Sequence, residues 1–263
     1  MANKHGDFVW YELMTSDADA ATAFYGPLFG WKVSNPGQDG MDYREIQAAD
    51  GNHIGGMLGL TKDMTDHGAM PGWIGYISVN DVDTSIASIK ADGGKLLMPP
   101  RDLEGVGRFA MVTDPQGMAF YVMKSATDDT SKAFADDILR PGHCAWNELI
   151  TSNQVGAMAF YTSQFGWAKD GEMDMGPMGK YEFLRAGKEG GSLIGAMMTK
   201  PPEIPVSGWN YYFRVADIDL AVAHVAASGG HVANGPHEVP DGDWTLTGID
   251  PQGAHFALVG QKI

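Results

Sequence analysis

Residues 8–14 form a hydrophobic run broken only by the polar Glu12 and carrying Val, Trp and Tyr, so a strand with side chains alternating between its two faces is expected there. Thr15, Ser16 and Asp17 follow as helix-capping chemistry. Ala20, Ala23, Phe24 and Leu28 then recur at helical spacing, and Gly30 ends the stripe. Pro27 is expected to shorten or kink this helix. Strands are expected over residues 43–48 and 54–60, between glycine-rich turns. The order then begins again. Residues 74–79 read as a strand, and Asp81-Val82-Asp83 opens a helix with Ile86 and Ile89 on one face. Gly93-Gly94 closes it, and strands follow around residues 95–98, 109–113 and 118–123. Asp114-Pro115-Gln116-Gly117 is turn chemistry between the last two. The stretch reads as two βαβββ units in series.

The whole pattern recurs 136 residues later. WYELMTSDADAATAFYGPLFGW, from Trp10 to Trp31, matches WNELITSNQVGAMAFYTSQFGW, from Trp146 to Trp167, with 12 of 22 positions identical. The same offset pairs GWIGYISVNDVD at Gly72 with GWNYYFRVADID at Gly208, and DPQGMAF at Asp114 with DPQGAHF at Asp250. Three blocks in one register make a tandem duplication. The expected division is a first module over residues 1–125, a linker over 126–141 and a second module over 142–263. The linker region is polar, ends in Pro-Gly, and is read with one short helical turn.

Composition narrows the partners. The formal net charge of −15 disfavours nucleic acid, which needs clustered Lys and Arg, and disfavours an anionic membrane surface. No apolar run approaches the length of a membrane span, and a single cysteine, Cys144, excludes an intrachain disulfide. A cytoplasmic location is expected, with Cys144 as a buried thiol.

The strand followed by TSD…AFY…FGW, the GW…V.D.D strand-to-helix start and the closing DPQG hairpin, all present twice, resemble the vicinal oxygen chelate superfamily. That group contains glyoxalase I, bleomycin-resistance proteins and extradiol dioxygenases. The resemblance implies an α+β fold of two tandem modules. In each, paired βαβββ units curl an eight-stranded sheet around a cup, with helices outside. It also implies pairing of the two copies within one chain, as a monomer or a homodimer.

Strand alternation then sorts the side chains. Trp10, Glu12 and Met14 are expected to face the first cup, and Trp146, Glu148 and Ile150 the second, with Tyr11, Leu13 and Thr15 toward the helices. Metal-dependent relatives hold a divalent ion with His, Gln or Glu on three strands. Those positions fall here on Trp10, Ile74 and Tyr121, and on Trp146, Asn210 and Ala257. Indole, aliphatic and phenol side chains are not ligands for zinc, nickel or iron, and only Asn210 offers one weak oxygen, so no metal and no cofactor are expected. Shifting the first strand by two residues brings Glu12 and Glu148 to the ligand position. No shift supplies a histidine and a closing glutamate as well.

Glu12 and Glu148 are the candidate catalytic residues, because a carboxylate inside an apolar strand is unusual. Desolvation in an aromatic cup suits such a group to general acid or base work, while pairing with an arginine or a backbone amide would make it structural. His255 is the third candidate, either as a proton relay with Glu148 or as a rim histidine. Trp10, Tyr43, Met57, Tyr76 and Tyr121 are expected to line the first cup. Trp146, Tyr181, Met197, Asn210, Tyr212 and Arg214 are expected to line the second. Trp73, Trp209, Phe24 and Phe160 are read as core, and the other histidines, His143 among them, as mostly exposed. The expected function is binding of a small organic molecule in an aromatic cup without the usual metal triad. The alternatives are a metal-dependent lyase or dioxygenase, and a non-catalytic interaction module.

Overall fold

A computed structural model of the chain describes residues 3–37, 40–135, 140–187, 191–202 and 207–263. It holds two eight-stranded mixed sheets, one per repeat. In the first repeat, β1 (Phe8–Thr15) leads to α1 (Ala18–Phe29), then β2 (Lys32–Val33), β3 (Tyr43–Gln47), β4 (His53–Gly59) and the short α2 (Lys62–Asp66). The second half runs β5 (Gly72–Ser78), α3 (Val82–Ala91), β6 (Lys95–Leu103), β7 (Gly107–Thr113) and β8 (Ala119–Ser125). The second repeat follows with β9 (Cys144–Thr151), α4 (Gln154–Phe165), β10 (Ala168–Asp174), β11 (Lys180–Arg185) and β12 (Leu193–Thr199). It ends with β13 (Gly208–Val215), α5 (Ile218–Ala227), β14 (His231–Glu238), β15 (Trp244–Ile249) and β16 (His255–Gly260). The strand orders are β2-β3-β4-β1-β5-β8-β7-β6 and β10-β11-β12-β9-β13-β16-β15-β14, so the same topology is drawn twice.

Local chemistry sets the helix ends. Asp17, Asp81, Asn153 and Asp217 each cap a helix with a side-chain oxygen that accepts a backbone N–H of the first turn. Gly30 and Gly166 end α1 and α4 in the left-handed region, at φ 68° and 69°. Pro27 neither ends nor shortens α1, which continues to Phe29. The proline lies in the last turn, where few helical bonds remain to be lost. The strand expected at residues 95–98 extends to Leu103 as β6.

The chain also forms two compact units, and each takes one half of each repeat. Unit 1 comprises Met1–Val9, Gly75–Ser131 and Trp146–Trp209; unit 2 comprises Trp10–Ile74, Lys132–Ala145 and Asn210–Ile263. The motifs that reveal the duplication meet inside these units. In unit 2, the Trp73 indole N–H donates to the Tyr25 hydroxyl at 3.4 Å, and that hydroxyl donates to Asp250 Oδ2 at 3.0 Å. In unit 1, Trp209 donates to Tyr161 at 3.3 Å, and Tyr161 donates to Asp114 Oδ2 at 3.3 Å. The other oxygen of each aspartate accepts two turn amides, from Gln116 and Met118 or from Gln252 and Ala254. Trp31 donates to the Gly142 carbonyl at 2.7 Å in unit 2, and Trp167 to the Gly6 carbonyl at 2.8 Å in unit 1.

Burial pushes the Asp114 and Asp250 carboxyls above the usual aspartate range, against the amide and tyrosine donors that favour ionisation. Burial, followed by the Asp250 charge, also raises the Tyr25 hydroxyl well above its ordinary value, so it remains a donor. Aromatic rings fill the space around these bonds. Trp73 packs on Tyr25, Trp31 and Phe213 in unit 2, and Trp209 packs on Phe8, Tyr161 and Trp167 in unit 1. Phe24 and Phe160 are buried against Tyr25 and Tyr161.

No helical turn lies among the described residues of the linker, and residues 136–139 fall outside them. Its flanks are packed. Ala133 and Cys144 are buried, and the Cys144 amide donates to the Ala133 carbonyl at 3.1 Å. His143 is a correction to the expectation of an exposed histidine: it is fully buried, with Nδ1 at 2.5 Å from the Lys132 carbonyl and Nε2 at 3.2 Å from Asp50. Burial opposes ionisation of Asp50, but the Asn52 backbone and side-chain amides and then His143 outweigh it, and the carboxyl falls to about 2. Among the described residues no helix is long and apolar enough to cross a membrane.

Candidate functional site

The candidate glutamates and their Trp and Tyr neighbours lie on the sheet faces turned away from the helices, and register defines those faces. In β9, Trp146, Glu148 and Ile150 share one face, while Leu149 and Thr151 are fully buried on the other. β12 runs parallel, with Ala196 beside Glu148 and Met198 beside Ile150. β11 adds Phe183 beside Ala196 and Tyr181 beside Met198. One unit-1 surface therefore carries Trp146, Glu148, Tyr181, Phe183 and Met198.

Hydrogen bonds tie this surface together. The Trp146 indole N–H donates to the Tyr181 hydroxyl at 2.8 Å, and the hydroxyl donates to Glu148 Oε2 at 2.9 Å. Phe183 meets Trp146 and Tyr181 edge-on, at centroid distances of 6.1 and 5.8 Å. Glu148 is buried, and Trp146 and Tyr181 are partly exposed. A buried carboxylate thus accepts from a phenol and is framed by rings.

Unit 2 repeats the motif on β1, β3 and β4. The Trp10 indole N–H donates to the Tyr43 hydroxyl at 2.9 Å. Glu12 is buried on the same face of β1, with Gly56 beside it in β4. A Cβ at Gly56 would lie 2.2 Å from the Tyr43 hydroxyl oxygen, so the tyrosine would have to shift; the second repeat carries Ala196 at the matching position beside Glu148.

The methionines expected in the cups sit elsewhere. Met57 pairs with Leu13 and Met197 with Leu149, so both belong to the helix faces. The Met57 sulfur accepts from Thr22 of α1 at 3.7 Å. The residues of matching parity are Leu58 and Met198, beside Met14 and Ile150. Leu58 and Met198 pair with Tyr43 and Tyr181, which fixes their side of the sheet. Phe183 was missed because its counterpart in the first repeat is a glutamate, Glu45, and no repeated motif marks it.

The remaining candidates divide between the units. In unit 1, Tyr76 and Tyr121 are register partners in β5 and β8 and stack at 4.1 Å with 13° between their planes. In unit 2, Asn210 is half-buried, Tyr212 is buried, and Arg214 forms a buried ion pair with Asp243. His255 is exposed at the first residue of β16, opposite Ile249, and its side chain forms no hydrogen bond or ion pair among the described residues.

The family's metal site does not fit these residues. Trp10 uses its only polar hydrogen on Tyr43, Ile74 is a buried aliphatic, and Tyr121 is stacked on Tyr76. In the second repeat the positions hold Trp146, Asn210 and Ala257. Neither set offers the nitrogen, thiolate and carboxylate donors that a divalent transition metal takes. Among the described residues no group of three or more His, Cys, Asp and Glu side chains could hold a metal ion.

Two βαβββ-βαβββ sheets in tandem, with paired motifs locking helix to hairpin, define the fold of a two-module glyoxalase-like protein. The family model for the Glyoxalase/Bleomycin resistance protein/Dioxygenase superfamily matches residues 7–122 and again 140–258, and the chain belongs to that superfamily. It is 31% identical over 252 residues to a Mycobacterium tuberculosis protein named "Putative glyoxylase CFP32", covering 95% of this chain and 93% of that one. It is 29% identical over 267 residues to the anthracycline biosynthesis protein DauV of Streptomyces sp. strain C5, covering 95% and 91%. Among solved structures, the Mn(II)-bound glyoxalase from Novosphingobium aromaticivorans superposes with a TM-score of 0.65 at 18% identity, covering 99% of this chain and 83% of that one. That last likeness concerns the fold.

Proposed function

We propose that the chain binds a small, flat organic molecule on the aromatic face around Glu148, without the metal triad of its relatives. The observation that carries this reading is the Trp146–Tyr181–Glu148 chain of hydrogen bonds, flanked by Phe183. A ligand ring packs against the indole and phenyl groups, and a ligand hydroxyl donates to the carboxylate. The Tyr181 hydroxyl, already donating to Glu148, keeps the carboxylate oriented and offers a path for a proton to or from the bound molecule. The Trp10–Tyr43 pair beside Glu12 supports a second face of the same kind in unit 2. The relatives' names, a glyoxylase and an anthracycline biosynthesis protein, agree with small organic molecules as ligands.

The test is a calorimetric titration of the full chain, purified without a metal-affinity tag, with phenol and with its methyl ether, anisole. Phenol should bind at least tenfold more tightly, and Glu148→Gln and Tyr181→Phe should each reduce that preference with little change in melting temperature. Equal binding of the two probes, or no binding of either, would overturn the assignment. A stoichiometric transition metal in the purified protein would favour the metal-dependent lyase or dioxygenase instead.

A further inference from the structure

Strands β6 and β14 are the outer strands of their sheets and hold equivalent places in the two repeats. Their middles differ. The first repeat has Met98-Pro99-Pro100, and the second, 136 residues on, has Asn234-Gly235-Pro236. Asn234 is the only asparagine in the sequence that precedes a glycine. The pairing of β14 with β15 breaks at this dipeptide: Asn234 pairs with Thr247 and His237 with Thr245, so Gly235 and Pro236 stand against Leu246 alone. Gly235 takes φ 96°, and a Cβ on it would lie 2.6 Å from the Thr245 carbonyl oxygen. The bulge therefore selects glycine, and β14 places an asparagine immediately before it.

The second observation is at the side chain. Asn234 and His237 are both exposed, and His237 Nε2 lies 3.0 Å from Asn234 Oδ1. An amide oxygen only accepts, so the ring nitrogen carries the hydrogen and donates it. That donor sits on the atom that becomes negative when a nucleophile adds to the asparagine Cγ. The nucleophile within the chain is the next backbone nitrogen, and a glycine there puts no side chain in its way. Solvent reaches the pair because both residues are exposed.

We infer that Asn234 is a modification site, at which the chain deamidates itself with His237 as the polarising donor. The Gly235 nitrogen gives its proton to water and bonds to Asn234 Cγ, while His237 Nε2–H stabilises the oxyanion at Oδ1. The Cγ–Nδ2 bond then breaks, Nδ2 takes a proton from water and leaves as ammonia, and the carbonyl re-forms in a succinimide ring. Water opens the ring at either carbonyl. Over the whole sequence a water is consumed, an ammonia is released and nothing is oxidised. The product is an aspartyl or an isoaspartyl linkage. Either adds a negative charge to β14, and the isoaspartyl form also adds a methylene to the backbone where the strand pairs with Thr247. The first repeat has no such site, because Met98 has no amide side chain and Pro99 no N–H. The assignment is independent of the Glu148 face.

The test is incubation of the folded full chain at mildly alkaline pH, followed by peptide mapping with mass spectrometry that distinguishes aspartyl from isoaspartyl products. Deamidation should accumulate at Asn234 ahead of every other asparagine, with both products present. His237→Ala should slow it about tenfold at unchanged melting temperature, a smaller effect than a buried oxyanion donor has because this site is open to water. His237→Gln, which keeps an N–H donor, should lose less. Deamidation that appears first at another asparagine would overturn the assignment. So would an aspartyl product with no isoaspartyl, which marks direct hydrolysis, or a rate that His237→Ala leaves unchanged.

Discussion

The interiors of the two units are near copies of one another, whereas the sheet faces of the two repeats have parted. Inside, Trp73–Tyr25–Asp250 and Trp209–Tyr161–Asp114 make the same bonds at 3.0–3.4 Å, and Trp31 and Trp167 reach equivalent carbonyls. On the faces, a stacked tyrosine pair in one repeat corresponds to a tyrosine and an alanine in the other. Sameness between the copies therefore marks what the fold needs twice. Difference marks where the two modules have room for separate tasks. Glu12 and Glu148, each on the same face as a hydrogen-bonded Trp–Tyr pair, are the exception, because they are retained on the faces.

That contrast is strongest at the buried indoles. Trp31→Ala and Trp167→Ala should each cost about 3–5 kcal/mol, through lost burial, a residual cavity and an orphaned carbonyl. Matched losses in denaturant midpoint would confirm that the interiors are equivalent, and a gap of several kcal/mol between them would break the comparison. The aspartates come next. Asp114→Ala and Asp250→Ala each leave two turn amides and a tyrosine hydroxyl without their acceptor, for an expected loss of about 2–3 kcal/mol. Asp→Asn should cost less, because its carbonyl still accepts the turn amides while its NH2 donates to the tyrosine oxygen.

The smallest effect is on pH dependence. The folded-state carboxyls of Asp114 and Asp250 are raised above the ordinary 3.8 by burial, so the folded protein holds these protons more tightly than the unfolded chain does. Their contribution to stability is therefore greatest at low pH. It falls as pH rises from about 3.8 through the raised values, and above them the penalty is complete. Asp50 is lowered to about 2 and acts in the opposite sense, so the total profile is a sum. The difference between wild type and the Asp114→Asn/Asp250→Asn double variant isolates the pair. It should favour wild type most at the acid end and shrink as pH rises; a difference that grows with pH would reverse the assigned sign.

Much of the fold was legible in the sequence because its signals are local. A hydrophobic run rich in Val, Trp and Tyr marked β1, the caps Asp17 and Asp81 marked the helix starts, and the 136-residue offset marked the second repeat. Pro27 misled because a proline in the last helical turn costs little, and position within the helix is not visible before its end is known. The methionines misled for a different reason. Met57 was placed by its chemistry, whereas its side is set by pairing with Leu13 across a parallel strand, a long-range register that spacing along the chain does not reveal. His143 was read as exposed because its flanks are polar, yet two acceptors distant in sequence, Lys132 and Asp50, bury it. The tie from Tyr181 to Glu148 was equally out of reach, since neither residue type fixes how far a side chain leans across three strands.

The division of the chain into units carries an implication for its history. Tyr25 finds its aspartate 225 residues away in the other repeat, and Tyr161 finds its own 47 residues back. A change in the helix of one copy must be answered in the hairpin of the other. The duplicated halves are thus bound to evolve as a single inheritance, with compensating substitutions crossing between them, while the sheet faces drift apart at little expense to folding.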